Sequence, residues 1–315
     1  MELIVIGDEK TPVFDLPGSS YYGISEQLST GLLTARLVPR NSYARKNLGY
    51  LIAMQMSAVP IVESDDDNLP GTGFFAARQR HAECRLIADA GWVNIYRYFT
   101  DTAIWPRGFP LRLVRNAAPV LEVASCQIVE APIQQGLVDD DPDVDAIYRL
   151  VHGGTCRFRN NVAVALGRGS WCPFNSQNTT WWPEAYCLLY LPSCCSFRAA
   201  DIWRSFVAQR IAWENGWSVL FHGPTMRQMR NQHDLMRDFT DELPVYLHAE
   251  QVCERLAALT LAPGQARIPD NMRSCYEMMI ENGILQPQET VLLEAWLADF
   301  QACCRSQSIS SSYAR

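Results

Sequence analysis

Short apolar runs punctuate the first 240 positions, separated by stretches whose apolar residues recur at helical spacing. "LIVIG" (3–7) predicts a buried strand that ends at Gly7-Asp8. "SYARKNLGYLIAMQMS" (42–57) sets Ala44, Leu48, Leu51, Ile52 and Gln55 on one helical face, with Asn41 or Ser42 able to cap it. "PIVES" (60–64) then reads as a short buried strand. Strand, helix, strand in that order implies a parallel sheet with right-handed crossovers. Further strands are expected at "WVNIYRYF", "VASCQIVEAPI", "VAVALG", "CLLYLP" and "WSVLFHGP", and a helix at "AADIWRSFVAQRIAWEN" (199–215).

From Pro244 the pattern changes. "AEQVCERLAALTLA", "NMRSCYEMMIENGIL" and "QETVLLEAWLADFQACC" predict three helices with no strands between them. The expected organisation is an α/β domain over 1–243, a helical extension over 244–305 and a flexible tail over 306–315.

Composition narrows the function. Of 315 residues, 48% are hydrophobic and 19% charged, an ordinary globular balance. A net charge of −7 argues against a chain that lives by neutralising phosphate backbones, so no nucleic-acid partner is expected. No apolar run is long enough to span a membrane, and "MELIVIGDEKTP" is no signal peptide. A cytoplasmic location is the expectation. Eleven cysteines without a C-x-x-C suit reduced thiols, and the sequon Asn178-Thr179-Thr180 is discounted accordingly.

The chemistry concentrates after the second strand, where Asp65, Asp66 and Asp67 stand in a row. Open α/β sheets bind ligands at the carboxyl ends of their strands, and clustered carboxylates there suit a hard divalent cation. A solvated acidic turn is the plain alternative. The preceding helix opens with Arg45 and Lys46, where backbone N–H groups also favour an anion. Cations and carboxylates joined in this way suggest a diphosphate held between them.

These residues resemble the nucleotide-sugar half of a GT-A glycosyltransferase with its D-x-D motif. The wider set "VIGDEKTP", "YARKNLGYLIAMQMSAVPIVESDDDN", "QQGLVDDDPDVDAIYRL", "FNSQNTTWW", "YLP" and "FRAADIWRSFVAQRIAWENGWSVLFHGPT" is similar to the STELLO-type glycosyltransferases. More distantly it resembles the reversibly glycosylated polypeptides, which are UDP-arabinopyranose mutases. The expectation is a chain that starts directly with the catalytic domain, without the transmembrane anchor of the membrane-bound STELLO proteins.

The resemblance implies a GT-A fold, with a mixed, mostly parallel sheet flanked by helices and a carboxyl-terminal helical extension. It implies transfer of a sugar from a nucleotide sugar, a UDP-sugar first, to a glycan or other hydroxyl acceptor. Asp65 would lie near the ribose and Asp67 would hold Mn²⁺ or Mg²⁺, with Asp66 serving either. Arg45 would offset charge on the leaving diphosphate. Gly7, Asp8 and Thr11 would meet base and ribose. Asp201, at the head of its helix, would be the base of an inverting transfer, a plain helix cap being the alternative. Trp203 and Arg204, with Asn178 and Trp181 of the amide- and indole-rich "FNSQNTTWWPE", would line the acceptor site, core packing being the other reading.

His222 and His233 are candidates for a further metal ligand, with Arg227 and Arg230 close by in sequence. Asp141, Asp143 and Asp145 open like a calcium loop, but Ala146 and His152 stand where such a loop needs Gly and Glu, so Asp143 or Asp145 capping a helix is the plainer account. The alternatives to a transferase are a sugar-nucleotide mutase, with Arg157 or Arg159 as the glycosylated arginine, and a non-catalytic sugar-nucleotide-binding scaffold.

Overall fold

A computed structural model describes residues 2–13, 15–116, 126–160, 163–231 and 234–313. The chain opens with strand β1 (Leu3–Ile6) paired in parallel to β2 (Ser19–Tyr22), followed by the short helices α1 (Ile24–Ser29) and α2 (Leu33–Leu37). A 3-10 turn at Tyr43–Arg45 leads into α3 (Lys46–Gln55), and the Ser42 side chain caps that turn by accepting from the Ala44 N–H. Residues 47, 48 and 50–54 are all buried while Gln55 is exposed, so α3 is enclosed on every side rather than along one stripe.

After α3 come β3 (Ile61–Ser64), β4 (Asn68–Pro70), β5 (His81–Ile87), β6 (Gly91–Trp92), β7 (Cys126–Glu130) and β8 (Ile133–Asp140). Helix α4 (Ala146–Val151), strands β9 (Val164–Leu166), β10 (Ser170–Trp171) and β11 (Asn178–Trp181), helix α5 (Ala200–Glu214) and β12 (Val219–Gln228) complete the α/β part. The main sheet has eight strands in the order β3-β11-β8-β12-β9-β5-β7, with β4 laid against the last residues of β12. It is mixed: β8–β12 and β5–β9 pair in parallel, and the other neighbours run antiparallel.

Three expectations need correction. β1 and β3 do not pair; β1 takes β2 as its neighbour, and β3 pairs only with β11, antiparallel. "WVNIYRYF" gives only Trp92 to a strand and then turns as a 3-10 helix over Ile95–Tyr98, whose Ile95, Tyr96 and Tyr98 are all buried. "CLLYLP" likewise forms no strand, its first half ending a 3-10 helix over Pro183–Leu189, which a proline in its first turn favours. Runs that are apolar at every position do not distinguish strand from helix.

Helix α6 (Leu235–Ala258) begins before the expected boundary and runs straight through Pro244. With α7 (Ile268–Glu281) and α8 (Glu289–Tyr313) it forms the carboxyl-terminal layer. One continuous core joins this layer to α2, α3, α5 and one face of the sheet, from Leu32 to Cys303. Val219 and Phe221 of β12 face that core, whereas Leu220 between them joins a small cluster with Cys84, Val129, Ala131 and Ala165 on the opposite face. All eleven cysteines are free. Among the described residues, no helix is long and apolar enough to cross a membrane.

Candidate active site

Because β3 and β8 are both antiparallel to β11, and β12 is parallel to β8, their carboxyl ends meet at one edge of the sheet. That edge is where the polar chemistry gathers. Asp65–Asp67 follow β3, Asp141–Asp145 follow β8, and Gln228 and Arg230 stand at and beyond the end of β12. A cleft here is lined by Tyr43, Asp65, Arg107, Asp143, Asn175, Gln177, Phe197, Arg198, Asp201, Gln228 and Arg230.

On one side, Lys46 Nζ donates to Asp65 Oδ1 at 2.7 Å and to the Ser176 carbonyl at 2.9 Å, while the Tyr43 hydroxyl donates to the same Asp65 oxygen at 2.8 Å. Burial pushes the Asp65 carboxyl above its ordinary value, against the pull of Lys46. Tyr43 is held protonated by burial and by the nearby charges of Asp65 and Asp201. Asp67 accepts from the Gln228 side-chain amide at 2.7 Å, and its carbonyl takes the Met229 N–H, so the aspartate turn is tied to β12. Asp66 is exposed.

Arg107 forms the floor. Its guanidinium makes paired bonds to Asp143, 2.8 and 2.7 Å, and to Asp201, 2.9 and 2.8 Å, and also reaches the Arg198 carbonyl. Burial opposes the Arg107 charge, but the two carboxylates outweigh it and keep that cation protonated. Burial likewise works against the Asp143 charge, yet Arg107 and Arg198 pull its carboxyl well below the usual range. Asn175 donates to Asp143 at 2.9 Å. Asp201 does lie in the first turn of α5, but its side chain makes no cap bond and turns to Arg107 instead.

The structure thus brings Asp65 and Asp201 to one cleft, bonds Lys46 and Asp67 to its lining residues Asp65 and Gln228, and separates other candidates from it. Arg45 is buried among the Gln27 side chain, at 2.8 Å, and the Val38 carbonyl, at 3.0 Å, tying the loop before α3 to α1. Gly7 lies under the Tyr21 ring, which any side chain there would strike. Asp8 receives the Ser42 N–H at 3.1 Å, and Thr11 Oγ1 the Asp8 N–H at 3.0 Å, so this loop abuts the turn that carries Tyr43.

The expected acceptor residues are buried. Trp181 and Trp203 are fully enclosed, and Arg204 pairs with Glu63 at 2.7 Å in the core. Strand alternation sends Trp181 toward α5 and Asn178 to the other face, where Asn178 bonds the Leu137 carbonyl and the Thr225 hydroxyl. A buried Asn178 also removes the sequon from use.

His222 is not a partner of the aspartates. It pairs in register with Gly136, six residues back along β12 from Gln228, roughly 15–20 Å from the Asp67 turn. Its Nδ1 meets the Gly223 carbonyl, its Nε2 is buried without a partner, and burial reinforced by the Arg78 charge pushes it down to about 4. Gly136 leaves the space that His222 and Asn178 fill. His233 lies outside the described residues. Arg157 and Arg159 sit at the surface beside Asp140 and Asp101. Asp145 caps α4 by accepting from the Tyr148 N–H at 2.7 Å, and burial pushes its carboxyl up to about 6.

Among the described residues no three His, Cys, Asp or Glu side chains converge to hold a metal ion. Two carboxylates of one turn, Asp65 and Asp67, are the available donors. Several cleft residues escaped the sequence reading. Arg107 had a signal, a lone cation in the Pro- and Gly-bracketed apolar run "IWPRGFP". Tyr43 and Arg198 stood one helical turn from residues already singled out, and Phe197 had no signal at all.

A family model for STELLO glycosyltransferases matches residues 198–308, which take in α5, β12, α6, α7 and most of α8. Two Arabidopsis thaliana proteins, the probable glycosyltransferases STELLO2 and STELLO1, are each 26% identical to the chain over 95% and 96% of its length. The chain spans 41% of the length of each. It is therefore similar to the STELLO glycosyltransferases along nearly its whole length, cleft and helical layer alike.

Proposed function

We propose that the chain is a glycosyltransferase, moving a sugar from a nucleotide sugar, a UDP-sugar first, to a hydroxyl acceptor in the cleft at the sheet edge. The observation that carries this reading is that Asp65 and Asp201, far apart in sequence, line the same cleft. The family likeness supports the reaction class. Asp201 is the base that takes the acceptor proton, so the transfer inverts the anomeric centre. Arg107 is its positioning residue, fixing both carboxylate oxygens.

Mn²⁺ or Mg²⁺ suits the donor set in a limited way. A hard cation accepts one or two carboxylates and completes its shell with phosphate and water, which Asp65 and Asp67 satisfy once Lys46 gives up its bond to Asp65. Such an ion neutralises charge on the departing nucleoside diphosphate. Nothing in the geometry favours the mutase alternative, because Arg157 and Arg159 stand outside the cleft.

The test is calorimetric titration with UDP, with and without Mn²⁺, on wild type and Asp67→Ala. Metal-dependent binding that vanishes in the variant supports the reading. Binding that ignores both metal and variant removes the metal from it, and no UDP binding under any metal condition overturns the UDP-sugar donor.

A further inference from the structure

The cleft has a basic wall that the sequence candidates do not touch. Arg198 and Arg230 line it. Arg149 stands close by: burial, then the charges of Arg149 and Arg198, push the Arg230 guanidinium down to about 10. Each of the three keeps a tenth or less of its side chain exposed. Packing three like charges out of water works against folding unless something at the site answers them.

Each arginine does have a carboxylate. Arg149 reaches Asp141 at 3.1 Å, Arg198 reaches Glu242 at 2.7 Å, and Arg230 reaches Asp238 at 2.7 Å. Two of those carboxylates come from α6, one turn apart. Glu242 is itself fixed by the Ala146 N–H at 2.8 Å and by the Tyr246 hydroxyl. Arg198 also reaches the Val144 carbonyl at 3.3 Å and Asp143 at 3.8 Å, and Arg149 the Pro142 carbonyl at 2.8 Å, but none of the three makes the paired bonds to two carboxylates that saturate Arg107. Arg149 Nε is moreover buried with no acceptor. A guanidinium presents a planar fork that matches phosphate oxygens.

We infer that Arg198 and Arg230, backed by Arg149, form a clamp for a diphosphate, held in position from α6 by Glu242 and Asp238. This rests on the nucleotide-donor reading and assigns to Arg198 and Arg230, held from the helical layer, the role expected of Arg45. It also divides the cleft: the Asp65 side repels phosphate, and the Arg230 side attracts it.

The experiment titrates the full chain with UDP, inorganic pyrophosphate and uridine, comparing wild type, Arg230→Gln and Asp238→Asn. Arg230→Gln should weaken UDP and pyrophosphate roughly 10- to 100-fold and leave uridine unchanged, as loss of charge-assisted bonds requires. Asp238→Asn should weaken the same two ligands by a smaller factor. Should Arg230→Gln fail to fold, Arg230→Lys keeps the charge without the fork and should give the same ranking of ligands. Unchanged pyrophosphate and UDP affinity in a folded Arg230 variant overturns the clamp while the donor reading stands on Asp67→Ala. Wild type that binds pyrophosphate but no uridine nucleotide keeps the clamp and removes UDP, and wild type that binds neither overturns both.

Discussion

Two ion pairs hang from helix α5, one turn apart, and they behave as different kinds of object. Asp201 joins Arg107 and Asp143 in the lining of the cleft. Arg204 joins Glu63 in the core, where neither side chain keeps more than 1% of its surface exposed. The core pair is closed: Glu63 also receives Trp181 Nε1 at 2.8 Å and the Tyr50 hydroxyl, and Arg204 lies over the Trp181 ring at 5.0 Å. Every acceptor there is matched to a donor inside the protein, and Arg204 Nε, like Arg149 Nε, stays buried without an acceptor. The cleft pair has comparable geometry but borders a space that another molecule can enter. Burial and pairing alone do not tell a site from a core; access does.

The comparison can be broken most forcefully in the core. Glu63→Gln leaves Arg204 buried without its counter-ion and should destabilise the fold by about 3–5 kcal/mol, read as the midpoint of urea unfolding. A shift under about 1 kcal/mol would show that water reaches this pair. Next in size, Asp201→Asn should slow sugar transfer at least about 100-fold, near 3 kcal/mol of barrier. Its unfolding midpoint should move far less than that of Glu63→Gln, because Arg107 retains Asp143. Equal losses of stability in the two variants would move Asp201 to the structural side.

The next effect concerns pH. His222 is held near 4 in the fold against about 6.5 when unfolded, so the folded state binds fewer protons between those values. Its contribution is fully present above about pH 6.5 and is lost as pH falls through about 4, roughly 3 kcal/mol in all. Asp145 works with the opposite sign, its raised carboxyl favouring the fold at low pH and losing that advantage as pH rises toward 6. Unfolding of His222→Gln across pH 4–7 should therefore lack the acid-side loss seen in wild type. Smallest of all, Arg157→Ala and Arg159→Ala should change stability by no more than about 0.5 kcal/mol and leave transfer intact. Lost transfer in either would revive the mutase alternative.

The helix of 199–215, the strand before the three aspartates and the Ser42 cap were legible because each rests on local signals: periodicity, a breaker, a capping hydroxyl. The cleft was legible only where such signals coincide with chemistry, as at Asp65 and Asp201. Arg45 and Lys46 show the limit. They are adjacent on the same turn, and nothing local says that Lys46 faces Asp65 while Arg45 faces Gln27. That choice is made by α1, which the sequence pattern did not reveal. Trp181, Trp203 and Arg204 were misplaced for a related reason, since indoles and guanidiniums suit sugars and cores equally well. Strand pairing was least legible, because the direction of β11 between β3 and β8 is fixed by chain connections far apart in sequence.

Helices α5 and α6 are joined at both ends. Near the cleft, Arg198, just ahead of α5, meets Glu242 of α6; at the far end, Arg210 of α5 donates to the carbonyls of Leu256, at 2.8 Å, and Leu259. A helix of 24 residues is about 36 Å long, so the two act as a braced strut between the cleft and the opposite side of the protein. The brace has one weak joint. Pro244 has no N–H to give the Thr240 carbonyl, and it falls two residues beyond Glu242. A kink in α6 is easiest there, and Asp238 and Glu242, the partners of the cleft arginines, stand on the amino-terminal side of it.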